Sequence, residues 1–305
     1  MLQPPIRPVT STAVPFAVAT LGIALFSGMD ALMKVISLQI GTYNALLWRT
    51  MVSAILAGTL FLALRKSWPA RPALRVHLTR GLISLPMALL FFWGLARVPM
   101  AQAIALSFVA PLISLYLAAA LLGERIERRA LIASLLGFAG VVLIFAGQAE
   151  ADLGPDALAG SIAILCSAGF YAYNIILMRR QALLAGPVEV AFFISTIMAI
   201  GFALAAPVLA ELPDAEHLPA IVGAAVLAFG SLMLLSWAYA RAEAQHLAPV
   251  EYTSFIWAAI LGSLIFGESV QPLTVAGAVL IVIGCIIAAR RRAPPDPDVD
   301  AGVHA

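Results

Sequence analysis

The sequence predicts an all-α membrane protein of ten transmembrane helices in two inverted five-helix repeats. Three observations predict it. Of 305 residues, 62% are hydrophobic and only 11% charged, with a mean hydropathy of +1.00, whereas a soluble globule carries about 25% charged residues. Apolar runs of roughly 20 residues, the length that crosses a bilayer, nearly consume the chain and leave only short connections. Finally, Ala96-Arg97 leads to Gly123-Glu124 and then Gly140, while Ala240-Arg241 leads to Gly267-Glu268 and then Gly284, so each landmark recurs after 144 residues. Each copy closes a set of five spans. An odd number of spans makes the second copy enter the bilayer from the opposite side, which inverts the repeat.

The spans are bounded by charge, proline or polar clusters. The first, 13–36, is too long for a signal peptide, carries Asp30 and Lys34, and is followed by no soluble domain. The second, 43–64, carries Arg49; the third, 78–97, carries Phe91, Phe92 and Trp93; the fourth, 100–122, has Gln102 near its start. The fifth, 130–147, carries Gly140, and the sixth, 157–178, carries Phe170, Tyr171, Tyr173 and Asn174. After the seventh, 187–208, the eighth, 218–240, carries Trp237 and Tyr239. The ninth, 245–267, carries Glu251, Tyr252, Phe255 and Trp257, and the tenth, 271–289, carries Gly284. The repeats therefore occupy 1–148 and 149–289. Residues 290–305 are proline-rich and acidic beyond their arginines and read as a disordered tail. Cys166 and Cys285 lie in apolar runs, where cysteine acts as a small hydrophobe.

Lysine and arginine concentrate in cytoplasmic loops. With the N-terminus inside, that face receives Arg7, Arg65, Lys66, Arg71, Arg75, Arg80, Arg125, Arg128, Arg129, Arg179, Arg180, Arg241 and Arg290 to Arg292, against Arg97 alone outside. Both termini are thus expected in the cytoplasm, in a bacterial inner membrane.

Ionisable residues inside the hydrocarbon cost about 2.5–3.5 kcal/mol each on insertion scales and usually face a cavity or a partner. Four qualify: Asp30, Lys34, Arg49 and Glu251. Asp30 and Lys34 stand four apart on one helix face and can pair, and Arg49 lies at a depth similar to Asp30. A cluster of the three carries net positive charge, suited to a substrate carboxylate; a structural ion-pair network is the alternative. Glu251 has no basic neighbour in sequence and follows Pro249, which frees backbone carbonyls in the way membrane helices tolerate beside a cavity. It is a candidate for proton coupling or for binding a cationic group, against a neutral carboxyl that merely joins helices.

Inverted repeats are the plan of many secondary transporters. Gly94-Leu95-Ala96-Arg97-Val98-Pro99-Met100-Ala101-Gln102-Ala103, through Phe108-Val109-Ala110-Pro111 to Leu122-Gly123-Glu124, resembles the EamA-type branch of the drug/metabolite transporter superfamily. Ala248-Pro249-Val250-Glu251-Tyr252-Thr253 to Phe266-Gly267-Glu268 resembles the same motif in the second copy. The resemblance covers about 13–289. It implies a path between the two halves, lined by spans one, three, four, six, eight and nine, with five and ten peripheral. Relatives move amino acids, S-adenosylmethionine, riboflavin, opine-type metallophores or drugs. On those spans Trp93, Tyr171, Asn174, Tyr252 and Trp257 join the charged residues as path candidates, with packing as the alternative for each ring. Gln102 and His246, at matching positions, read as gates or helix caps, and the two Gly-Glu ends as helix-end packing.

The chain has no Walker-type glycine loop and no metal-ligand or nucleophile-histidine constellation. The expected function is secondary active transport by alternating access of a small amphipathic or zwitterionic metabolite, such as an amino-acid derivative. Export or exchange is favoured, with uptake of S-adenosylmethionine- or riboflavin-like metabolites, or export of an opine-type metallophore, as alternatives. A membrane-embedded enzyme or a non-transporting membrane partner is the reading from another class. No cofactor, metal or nucleic acid is expected; the partners are a metabolite and the bilayer, with a coupling proton and a second copy of the chain kept as candidates.

Overall fold

Apolar runs that cannot hydrogen-bond to lipid must satisfy their own backbone, and here they do so as helices. The computed structural model describes residues 13–65, 68–122, 128–150, 154–239, 241, 247 and 250–289. Helix α1 (Ala13–Ile40) passes to α2 (Thr42–Ala63) through Gly41 alone, whose φ of +80° is left-handed and favours glycine. There follow α3 (Arg71–Leu95), α4 (Met100–Ser107), α5 (Ala110–Leu122), α6 (Arg128–Glu150), α7 (Gly154–Ala182), α8 (Pro187–Ala203), the short α9 (Ala206–Leu209), α10 (Leu218–Tyr239), α11 (Thr253–Phe266) and α12 (Pro272–Ala289). Seven helical segments are long and apolar enough to cross a membrane; 187–203, 253–266 and 272–287 are apolar but shorter. No strand occurs among the described residues.

Several expectations need correction. The fourth span is not one helix: α4 ends at Ser107 and α5 begins at Ala110. Pro111 has no N–H to offer, so the backbone turns at Phe108 and Val109 before the helix restarts. The seventh span is interrupted in the same way before Pro207. The third span begins earlier than the expected 78–97, so His77, expected in the preceding loop, lies inside α3, and Arg80, counted with the cytoplasmic-face cations, lies in its third turn. Gly123-Glu124, Pro249, His246 and the 290–305 tail lie outside the described residues.

Helix α6 packs on α12, α1 on α10, α3 on α7, α2 on α8 and α4 on α11, with further contacts of α3 to α8 and of α2 to α10. The α6–α12 crossing depends on glycine. A Cβ on Gly140 would stand 2.5 Å from the Gly277 carbonyl oxygen and one on Gly277 2.5 Å from that of Gly140, while one on Gly284 would meet Ala133 O at 2.7 Å. Small residues at such crossings let backbones touch and gain dispersion contacts. One apolar cluster, including Met33, Leu46, Leu95, Leu106, Ile144, Ile164 and Ile221, runs through the bundle.

Candidate functional site

Most of the charged and polar side chains of the described bundle that bear on the candidates gather in three places. The first lies on α1, α2 and α10, which pack on one another. Asp30 on α1 is 0% exposed, and neither of its carboxylate oxygens finds a hydrogen-bond partner in the protein. Ser27, one turn earlier on α1, Ser53, one turn beyond Arg49 on α2, and Ser231 on α10 also have unpartnered buried hydroxyls, and Arg49 Nε is unpartnered too. The Arg49 guanidinium lies 5.8 Å from the centre of the Phe92 ring on α3. Asp30 and Arg49 act on each other electrostatically, yet they form no ion pair within 4.0 Å. Buried polar groups in folded proteins are nearly always hydrogen-bonded; the exceptions among the described residues are these with Ser37 on α1 and Thr196 on α8, so most fall on three packed helices.

The second place corrects the expected Asp30–Lys34 pair. Lys34 turns away from Asp30, ion-pairs with Glu268 and donates to the Val98 carbonyl at 2.6 Å. Glu268 Oε2 also accepts from the Met100 N–H, at the first residue of α4, at 2.7 Å. Gly267 explains how Glu268 gets there: its φ of +66° reverses the chain at the end of α11, and the Glu268 N–H then bonds the Gly262 carbonyl at 3.1 Å. Gly262 leaves the room, since a Cβ on it would lie 2.6 Å from Glu268 Oε2. The Gly-Glu pair thus closes helix α11 and also supplies the counter-charge to α1. Sequence reasoning gave it only the first role. On the same end of the bundle, Glu211 holds α2 through Asn44 Oδ1 and Trp48 Nε1, and Tyr43 donates to Phe202 O.

The third place joins α3, α7 and α8 at the opposite end. Arg80 Nε donates to Asn174 Oδ1 at 2.9 Å and its Nη1 donates to Gln181 Oε1. Gln181 bonds His77 Nδ1 at 2.6 Å, His77 Nε2 bonds Glu189 at 3.0 Å, and the His77 ring stacks on Phe193. Asn174 Nδ2 donates to Ser84 Oγ at 3.1 Å. Tyr171, on the same helix as Asn174, lies in the field of both Arg80 and Glu251. Glu251, expected without a partner, accepts from Tyr239 Oη at 2.8 Å. Of these residues, sequence reasoning overlooked Arg80, Gln181, His77 and Glu189.

The remaining candidates have assigned neighbours. Tyr252 meets Phe108 ring-on-edge at 5.3 Å, where the α4–α5 break and the turn before α11 face each other. Trp93 carries the Arg97 guanidinium on its face at 3.6 Å, and Trp237 carries that of Arg241 at 4.2 Å. Trp257 packs against the small apolar cluster formed by Ala19, Ile23, Ala238, Leu247 and Val250. Gln102 caps no helix; it joins α4 to Gln148 and Ser161 in a buried network. Among the described residues one group of three potential metal ligands occurs, Asp214, Glu216 and His217, in the segment before α10. Acidic surface groups of this kind are common without a metal.

Comparison with known proteins gives the family. The pseudopaline exporter CntI of Pseudomonas aeruginosa (strain UCBPP-PA14) is 27% identical over 279 residues, covering 90% of this chain and 95% of its own. The S-adenosylmethionine uptake transporter of Rickettsia bellii is 26% identical over 270 residues, covering 86% and 88%. A solved crystal structure with a TM-score of 0.60 and 21% identity, covering 92% of this chain and 98% of its own, shares the fold. The EamA-like transporter family matches twice, over residues 9–146 and 158–290. The chain is an integral, multi-pass membrane protein that belongs to the EamA-like transporter family, of the drug/metabolite transporter type.

Proposed function

We propose that the protein is a secondary active transporter that moves a small zwitterionic or amphipathic metabolite by alternating access, through a path between two inverted five-helix repeats, 1–148 and 149–289, of ten spans in all. The 144-residue offset supports the repeats. It carries the Gly140–Gly277 contact onto Gly284–Ala133, Arg97 on Trp93 onto Arg241 on Trp237, and the break at Phe108 onto the turn at Tyr252. Exchanging each span with its fifth successor likewise carries the α1–α10 packing onto α3–α7, and α3–α8 onto α2–α10. Broken helices that face each other at mid-bundle are how such transporters build their sites.

The observation that carries the substrate reading is the unpaired state of Asp30 and Arg49. Two opposite charges held near each other and out of contact suit a ligand that brings its own ammonium and carboxylate. S-adenosylmethionine, named for one relative, has both groups; pseudopaline, named for the other, is the second candidate cargo. Asp30 and Glu251 are the acidic groups placed to exchange a coupling proton. The 15-to-1 lysine and arginine bias supports cytoplasmic termini in a bacterial inner membrane.

The test is flux into proteoliposomes holding the purified protein, with labelled S-adenosylmethionine and amino acids. Saturable, competable flux that exceeds empty liposomes and responds to an imposed pH gradient is expected. Binding without any flux would overturn the transport reading in favour of a non-transporting partner.

A further inference from the structure

We infer that Arg80 is a second, separate binding point in the path, which takes the carboxylate of the transported molecule at the end of the bundle opposite the Lys34–Glu268 pair. The inference rests on the transport reading above and adds a residue and a ligand chemistry to it.

Arg80 is half-buried; charged side chains withdrawn from water are usually paired, and the planar fork of arginine fits a carboxylate bidentately. Arg80 sits in the third turn of α3 with its guanidinium among side chains that are themselves buried, Asn174 and Gln181. Its two bonded nitrogens meet neutral amide oxygens. No carboxylate of a described residue lies within 4.0 Å of it. Amides fix the direction of the fork without neutralising its charge, and N–H donors remain beyond Nε and Nη1.

Both amides are themselves fixed. Asn174 Nδ2 is tied to Ser84 Oγ, which turns its oxygen toward Arg80. Gln181 donates its N–H to His77 Nδ1, so that nitrogen is the acceptor and His77 Nε2 carries the proton, donated to Glu189. Glu189 therefore sets the tautomer of His77, His77 sets the rotation of Gln181, and Gln181 sets the guanidinium plane. An arrangement that merely joined α3 to α7 could do so with one direct carboxylate. This one spends five polar side chains on orienting a cation that keeps its charge, the order expected of a preorganised anion site.

What faces Arg80 agrees. Tyr171 lies within electrostatic reach of both Arg80 and Glu251, and Glu251 is anchored by Tyr239 on α10. A cation on α3 and an anion beside α11 thus both act on one tyrosine without pairing with each other. The ligand that matches has a carboxylate close to an ammonium. Asn174, Gln181, His77 and Glu189 are positioning residues for it.

The test uses the full-length protein in detergent, with methionine, phenylalanine, lysine and S-adenosylmethionine as probes, each beside its α-carboxamide. A ligand that binds the native state raises its apparent stability. For the wild type, acids are expected to bind about tenfold to a hundredfold more tightly than carboxamides, the range of a hydrogen bond to a charged group. Arg80→Gln should bring the ratio to about one, and Arg80→Lys, which keeps the charge but loses the fork, should retain part of it. Modification of Arg80 by phenylglyoxal in the wild type, read by mass spectrometry, should be slowed by the acids and not by the carboxamides, and it needs no variant to fold. An acid preference that survives Arg80→Gln, equal binding of acids and carboxamides, or no effect of any acid on the wild type would each overturn the assignment. A structural role alone would lower the basal melting temperature and leave the acid-to-carboxamide ratio unmoved. Flux that treats acids and carboxamides alike keeps the transport reading and removes Arg80, whereas Arg80-dependent acid binding without flux does the reverse.

Discussion

Lys34 and Glu268, 234 residues apart in sequence, form an ion pair that joins α1 to the end of α11, and the same glutamate holds the start of α4 through the Met100 N–H. Three segments that meet at one end of the bundle are thus closed by one carboxylate. Its removal strands a buried ammonium, whose loss of partner costs about 3–5 kcal/mol, whereas replacing both charges by apolar groups is often neutral. Glu268→Gln should therefore lower the melting temperature of the purified protein sharply. The double change Lys34→Met with Glu268→Leu should recover most of it. A double variant as unstable as the single one would mean that the pair does not couple these helices.

Gly262 offers an independent handle on the same contact. Alanine there places its Cβ 2.6 Å from Glu268 Oε2, so the carboxylate must retreat from Lys34 or α11 must shift, an overpacking cost of about 1–3 kcal/mol. Gly262→Ala should destabilise the wild type and have little further effect in the Lys34→Met, Glu268→Leu background. Additive effects in that background would separate Gly262 from the ion pair.

The orientation is open to direct labelling. In a background with Cys166 and Cys285 replaced by alanine, cysteine at Asp214 should react with an impermeant maleimide in intact cells, and cysteine at Arg71 or Arg128 only after lysis. The segment before α10 and the first residues of α3 and α6 are expected on opposite faces by the lysine and arginine bias. The reverse pattern would invert the whole topology.

The apolar helices were legible in the sequence because hydropathy over about 20 residues is a local signal, and the proposal of two repeats rests on a periodic one, landmarks 144 residues apart. The breaks before Pro111 and Pro207 were present as prolines, but the apolar runs continue through them, and hydropathy does not register a lost N–H. Pairings were legible only at short range. Asp30 and Lys34 are four apart and invited each other, while the partner that Lys34 finds is brought near by the α11 turn at Gly267. Arg80 lay at the edge of an apolar run and read as a loop cation; only the packing of α3 on α7 brings Asn174 and Gln181 to it. The α3 signal available in advance was a histidine and an arginine three apart, His77 and Arg80, on one helix face.

Asp30 and Arg49 should both be needed for flux. Neither makes a hydrogen bond that its loss would break in Asp30→Asn or Arg49→Gln, so folding should tolerate each change better than transport does. Each is expected to reduce saturable flux by about tenfold or more, the worth of a charge-assisted contact to substrate. Combining them should not restore it. Recovery of flux in the double variant would make the two residues a structural pair, and wild-type flux in both single variants would remove them from the path.

Glu251 separates coupling from architecture because Tyr239 gives its role as a hydrogen-bond acceptor a second test. Glutamine keeps a carbonyl oxygen for the Tyr239 hydroxyl but cannot release or take up a proton, whereas Tyr239→Phe deletes the bond and keeps the titratable carboxyl. If Glu251 carries the coupling proton, its protonation must alternate in each cycle. Glu251→Gln should then abolish accumulation driven by a pH gradient while substrate exchange without a gradient persists, and Tyr239→Phe should still respond to the gradient. If the carboxyl only ties α10 to the segment before α11, the order reverses: Glu251→Gln behaves as wild type and Tyr239→Phe is the damaging change. The measurement is uptake into proteoliposomes with and without an imposed pH gradient, at matched incorporation of wild type and both variants. A gradient response in Glu251→Gln equal to that of the wild type would leave Asp30, buried and unpartnered on α1, as the acidic group to carry the proton.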